Sequence, residues 1–198
     1  REMESAGMDS DNLDELDKIT ANLQNTAMDM RLIPLSKIVD TFPRLVRDVA
    51  RDTGKKVNFN VSGSDIELDR TILTEIRDPL IHILRNSVDH GIESPEEREE
   101  AGKSPTGSVS LTATRERDHV TIEVADDGKG LDKEMLKEKA INEGVKTEDE
   151  LELMDDQEIY ELIFHPGFST AEEVTDVSGR GVGMDVVHNT VKQLDGTV

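Results

Sequence analysis

The segment His82-Ile83-Leu84-Arg85-Asn86-Ser87-Val88-Asp89-His90-Gly91 places ionisable groups at the end of an otherwise apolar helical pattern. The fold has to be arranged around that helix. On it, His82 and Asn86 stand one turn apart on one face, Asp89 and His90 follow one turn further on, and Ile83, Leu84 and Val88 point into a core. Gly91 is read as the left-handed residue that ends the helix. Alone, the segment fits equally well a buried helix whose histidine and asparagine only satisfy nearby backbone.

Two glycine-rich stretches downstream favour a site. Asp126-Asp127-Gly128-Lys129-Gly130 follows the alternating strand pattern Val120 to Val124, so a carboxylate at a strand end lies beside backbone that a flat ligand can approach closely. Gly179-Arg180-Gly181-Val182-Gly183-Met184-Asp185 leads into the helical pattern Val186, Val187, Val191 and Leu194. Glycines at a helix N-terminus leave N–H groups available to phosphate oxygens. Each stretch is commonplace by itself, and the three in this order are a strong signal.

The rest of the chain reads as an α+β fold. From Leu13, the residues Leu16, Thr20, Leu23, Ala27 and Met30 alternate spacings of three and four, the period of a coiled-coil seam. Pro34 interrupts it, and Leu35 to Val49 forms one amphipathic helix that Gly54 stops. Lys56 to Val61 alternates like a half-buried strand, and Ser62-Gly63-Ser64 turns the chain. Asp69 caps the central helix, in which Pro79 should cause a bend just before His82. Ser94-Pro95-Glu96-Glu97 starts a helix ended by Gly102. Ser108 to Arg115 and His119 to Ala125 make a hairpin, and three further helices are opened by Asp132, by Thr147 and at Asp156. Helices and strands that mix without strict alternation indicate helices on one face of a mixed or antiparallel sheet.

Composition narrows the function classes. With 198 residues there is room for one sizeable core and a small attachment. The absence of cysteine excludes disulfides and thiolate metal sites. A net charge of −21 argues against nucleic acid and anionic membranes as partners. With no long apolar run and no signal pattern, the expectation is a cytoplasmic protein without membrane insertion. The 44 acidic residues against 23 basic ones are spread over most segments, which suits a cytoplasm rich in salt.

The helix with Asn86, the Asp-x-Gly-x-Gly of Asp126 to Gly130, the segment Phe164-His165-Pro166-Gly167-Phe168-Ser169-Thr170 and the Gly-x-Gly-x-Gly of Gly179 to Gly183 resemble the four motif boxes of the GHKL ATP-binding superfamily. Within it, the wording resembles the chemotaxis histidine kinases from about Leu13 to the last residue. The resemblance implies a GHKL, or Bergerat-type, α/β sandwich with ATP held between the helical layer and a mobile lid. It divides the chain into the end of a dimerisation helix region, residues 1–33, and an ATP-binding kinase catalytic domain, residues 34–198, whose closing strands after Asp195 are missing.

It also assigns roles. Asn86, a hard oxygen ligand, would hold Mg²⁺ together with nucleotide phosphates. Asp126 would accept a hydrogen bond from the exocyclic amine of adenine, while Gly128 and Gly130 admit the ring. Gly179, Gly181 and Gly183 would let lid backbone meet the phosphates, with Arg85, His90 and Lys139 balancing their charge. Asp89, Ser169, Thr170, Arg180, Val182 and Met184 complete the expected ATP-binding set.

His82 occupies the place where hydrolysing relatives such as gyrase and the Hsp90 chaperones carry a water-activating glutamate. That favours the kinase branch, since a kinase passes phosphate to an incoming imidazole, which is already a nucleophile when neutral and needs no strong base. None of the five histidines stands in a phosphotransfer-bundle context, so the acceptor is expected on another domain. The resemblance further implies a homodimer, and response regulators, a coupling protein and chemoreceptors as partners of other domains. The alternatives are an ATPase clamp of the same superfamily and a nucleotide-binding dimerisation scaffold.

Overall fold

A computed structural model describes residues 15–16, 18–20, 31–166, 168 and 183–198. Its elements in chain order are β1 (Leu32–Pro34), α1 (Ser36–Val39), α2 (Phe42–Asp52), β2 (Val57–Ser62), β3 (Glu67–Asp69), α3 (Arg70–Asn86), a π-helical turn (Ser87–Gly91) and α4 (Pro95–Glu100). There follow β4 (Gly107–Arg115), β5 (Val120–Asp126), α5 (Lys133–Asn142), α6 (Glu148–Leu153), α7 (Asp156–Glu161), a 3₁₀ turn (Leu162–Phe164) and α8 (Met184–Gln193).

Local chemistry explains most of these boundaries. Asp69 caps α3 by accepting from the Thr71 N–H at 2.7 Å, and reciprocal capping boxes open α4 at Ser94 and Glu97, α6 at Thr147 and Glu150, and α7 at Asp155 and Glu158. Asp132 caps α5. Gly54, Gly102 and Gly144 end their helices with φ of 67°, 73° and 69°, a region that costs other residues.

The sheet is mixed. β2 and β4 pair in parallel from Val57 with Gly107 to Ser62 with Thr112, and β4 and β5 pair antiparallel from Val109 with Asp126 to Arg115 with Val120. A parallel pair needs a long crossover, here the segment that carries α3 and α4. Alternate residues of β2 and β4 then face the helices. Leu35, Val39, Phe42, Val46, Leu73, Leu84, Val109 and Leu111 are buried in one core, each worth about 1.5–3 kcal/mol of transfer from water. A second cluster gathers Leu136, Ala140, Leu151, Ile159, Leu162 and Phe168.

Two expectations need correction. The single helix expected over Leu35 to Val49 is two, α1 and α2, because Pro43 belongs in a first turn and starts a new helix after Thr41. α3 continues as one α-helix through the buried Pro79 to Asn86, where the π turn takes over. Gly91 is not among the described glycines with positive φ; it closes the π turn, and the chain leaves through Ile92 in extended conformation. The ribbon of β1 and β3 was not foreseen. Of the proposed seam, Leu16 and Thr20 are helical, with Leu16 58% exposed, while Leu23, Ala27 and Met30 lie outside the described residues.

Among the described residues no helix is long and apolar enough to cross a membrane. With a net charge of −21, self-repulsion opposes the folded state and salt screens it. Molar KCl is expected to raise the thermal unfolding midpoint; a flat or falling midpoint across KCl concentration would contradict this.

Candidate functional site

The site begins where α3 changes pitch. The Ile92 N–H donates to the Ser87 carbonyl at 2.8 Å, five residues back, which defines the π turn and widens the helix end. Lys55, from the loop after α2, caps this turn by donating to the Val88 carbonyl at 3.0 Å and to the Asp89 carbonyl. Burial lowers the Lys55 pKa, and Asp89 partly offsets that.

His82 and Asn86 meet on one face of α3, as their spacing requires. The Asn86 amide nitrogen lies 3.0 Å from His82 Nε2 and donates to Met184 Sδ at 3.4 Å. The amide nitrogen is thus committed to protein partners. The carbonyl oxygen is the atom suited to a cation. Met184, the first residue of α8, meets this face through that sulfur, and Gly183, the third glycine of the Gly-x-Gly-x-Gly motif, directly precedes it.

His82 is half-buried, and burial first, then the nearby positive Arg85, lowers its pKa; Asp185 offsets this in part. The unfolded state therefore binds the proton more readily. The stabilisation is complete above the ordinary imidazole range and is lost as pH falls through it towards the lowered value. Replacing His82 with Gln is expected to flatten the fall in urea midpoint between about pH 7.5 and about pH 5.5. An unchanged slope would contradict a neutral, desolvated imidazole.

The other motif residues fall into three groups. Arg85, Asp89 and His90 are exposed at the end of the helix, with His90 Nε2 3.7 Å from Asp89 Oδ2. Asp126 ends β5 and accepts from the Gly128 N–H at 3.0 Å. Its carboxylate lies against the π turn, since a Cβ on Gly91 would stand 3.1 Å from Oδ1. A Cβ on Gly128 would meet the Gly91 carbonyl oxygen at 2.1 Å, so side chains are excluded here by space. Gly130 turns the chain with φ 72°.

Lys139 on α5 has its Nζ 3.5 Å from Glu143 Oε1 and 5.5 Å from the ring centre of Phe168, which is buried in the second cluster. Phe164 stacks on His188 of α8 at 5.6 Å. Ser169, Thr170, Gly179, Arg180, Gly181 and Val182 lie outside the described residues.

Sequence reasoning missed the groups that hold this arrangement. Besides Lys55 they are Arg98, Glu93, Lys103 and Asp127, a charge cluster behind Gly128. Only the second aspartate of the pair Asp126-Asp127 hinted at it.

The family model "Histidine kinase-, DNA gyrase B-, and HSP90-like ATPase" matches residues 75–198. The chain is 63% identical over 188 residues to "Chemotaxis protein CheA" of Halobacterium salinarum, covering 95% of this chain and 28% of that protein. It is 46% identical over 189 residues to the protein of the same name from Bacillus subtilis, covering 96% and 28%. It is 52% identical over 180 residues to "Sensor histidine kinase CheAY" of Helicobacter pylori, covering 91% and 22%. The chain thus spans less than a third of the length of these relatives. The fold, helices against a mixed sheet, agrees with that family. The chain belongs to the histidine kinase-, DNA gyrase B- and HSP90-like ATPase family.

Proposed function

We propose that this chain is the ATP-binding catalytic core of a chemotaxis histidine kinase, which passes the γ-phosphoryl group of MgATP to a histidine on a separate phosphotransfer domain. The observation that carries the reading is the His82–Asn86 pair at 3.0 Å, in which imidazole stands where hydrolysing relatives have a carboxylate. The amide nitrogen of Asn86 can only donate, so it takes up the Nε2 lone pair of His82 that a water-activating base would need. The acceptor imidazole supplies its own lone pair and needs only in-line placement.

Asn86 would hold Mg²⁺ through its carbonyl oxygen. Among the described residues no group of three or more His, Asp or Glu side chains could hold a metal, which fits an ion shared between one asparagine, water and phosphate oxygens. Bound there, Mg²⁺ would neutralise developing charge on the phosphates. Asp126 would bond the adenine amine, Gly128 and Gly130 letting the ring approach, and Gly183 and Met184 would close the phosphate end with the glycines before them. Residues 1–33 would contribute to a homodimer contact, in a cytoplasmic protein that also engages response regulators, a coupling protein and chemoreceptors through other domains.

Two measurements test this reading. Supplied with MgATP after its acceptor histidine has been replaced, the full-length protein is expected to release ADP slowly; fast hydrolysis would mean an ATPase clamp instead. Asp126→Asn is expected to weaken ATP binding roughly 10- to 100-fold, since a charge-assisted hydrogen bond is worth about 1.5–3 kcal/mol. Unchanged affinity by calorimetric titration would remove Asp126 from the site.

A further inference from the structure

Arg98 lies outside every motif that carries the family resemblance, yet it is buried to 1% exposure. A guanidinium withdrawn from water is tolerated when its donors are paired. Here Nε donates to the Ser104 carbonyl at 2.7 Å, Nη1 to Glu93 Oε2 at 3.0 Å and to the Asp127 carbonyl at 3.2 Å, and Nη2 to Asp127 Oδ2 at 2.9 Å. Lys103 adds bonds to Glu93 Oε1 at 2.6 Å, to the Asp127 carbonyl at 3.1 Å and to the Gly128 carbonyl at 2.9 Å. The other Asp127 oxygen accepts from the Ser108 N–H at 2.8 Å, at the start of β4.

Most of these partners fall on two sides. Glu93 leaves the π turn just after Gly91, and Asp127 and Gly128 directly follow Asp126. The two cations therefore tie the end of the asparagine helix to the strand-end loop. That junction is tight, because the Lys129 N–H also donates to the Gly91 carbonyl at 2.9 Å and Gly128 has no room for a Cβ.

We infer that Arg98, with Lys103 beside it, is a positioning residue for base recognition: it holds Asp127 and Gly128 against Glu93, and so fixes where the Asp126 carboxylate meets the exocyclic amine of a purine. The inference rests on the assignment of Asp126 to the base. Lysine at position 98 keeps the charge but cannot reproduce a planar fork with donors to Ser104, Glu93 and Asp127 at once.

The test compares ATP with purine riboside triphosphate, which lacks the amine, in titrations of the full-length protein, Arg98→Lys and Lys103→Met. The wild type is expected to prefer ATP by about tenfold or more, the scale of one charge-assisted hydrogen bond. Both variants are expected to lose most of that preference while binding purine riboside triphosphate nearly as the wild type does. A variant that melts lower but keeps the full preference would overturn the inference and leave Arg98 a purely structural group. A wild type with no preference would instead overturn the assignment of Asp126. Should Arg98→Lys not fold, the partly exposed Lys103 carries the same comparison, and a preference retained in Lys103→Met would equally count against the inference.

Discussion

Replacing Asn86 with alanine is expected to lower phosphoryl transfer by about a hundredfold or more, because a metal ion's stabilisation of transition-state charge is worth several kcal/mol. The asparagine nitrogen is taken up by His82 and Met184, so the carbonyl oxygen is what the side chain offers a cation. Alanine at a helix position costs nothing in propensity, so the thermal midpoint should fall little. That separates loss of metal from loss of fold. His82→Ala should slow transfer less, since it removes a neighbour of the metal residue and leaves the oxygen. Transfer near the wild-type rate in Asn86→Ala would place the metal elsewhere.

Arg98→Met is expected to destabilise the fold by about 3 kcal/mol, the lower end of the range for breaking one side of a buried ion pair. Methionine fills much of the space but leaves Glu93, 11% exposed, and Asp127, 48% exposed, without their guanidinium. Asp127 can turn towards water, which places the effect at the lower end. Burial alone would raise both carboxyl pKa values, but Lys103 and Arg98 bonded to Glu93, and Ser108 and Arg98 bonded to Asp127, hold them below the usual carboxylate range. Lowered values mean that the stabilisation is present above that range and is lost as pH falls through the lowered values. Urea unfolding at neutral pH checks the size of the effect. A loss below about 1 kcal/mol, the scale of a surface pair, would mean that the cluster relaxes into solvent without cost.

The parts of the fold that were legible in the sequence are those set by neighbours along the chain. Asp69, Ser94, Asp132 and Thr147 announce helices because a cap needs only the next few N–H groups. The hairpin of β4 and β5 follows from alternation around Glu116-Arg117-Asp118. The ribbon of β1 and β3 was not legible, since three residues pairing Leu32 with Asp69 carry no periodic signal. Pro43 held the information that splits α1 from α2, but the apolar spacing on either side outweighed it in the reading.

The motif residues were found in order, and their supports were not. Gly91 looks like a helix stop in sequence, whereas in the fold it lies against the Asp126 carboxylate, and its carbonyl fills the space a side chain at Gly128 would need. Arg98 sits among Glu96, Glu97, Glu99 and Glu100, a pattern that reads as a solvated helix face. Its burial depends on Ser104 and Asp127, and nothing local reports them. Lys55 follows a glycine stop and reads as a loop lysine, yet it closes the turn that carries Asp89.

The central claim is the transfer of phosphate to an imidazole on another domain. Its most direct test mixes the full-length protein with γ-labelled MgATP and the phosphotransfer domain, then follows label on that domain in acid and in alkali. The account predicts label that is stable in alkali, labile in acid, and absent with Asn86→Ala. Rapid release of inorganic phosphate with no label on the acceptor domain would contradict it.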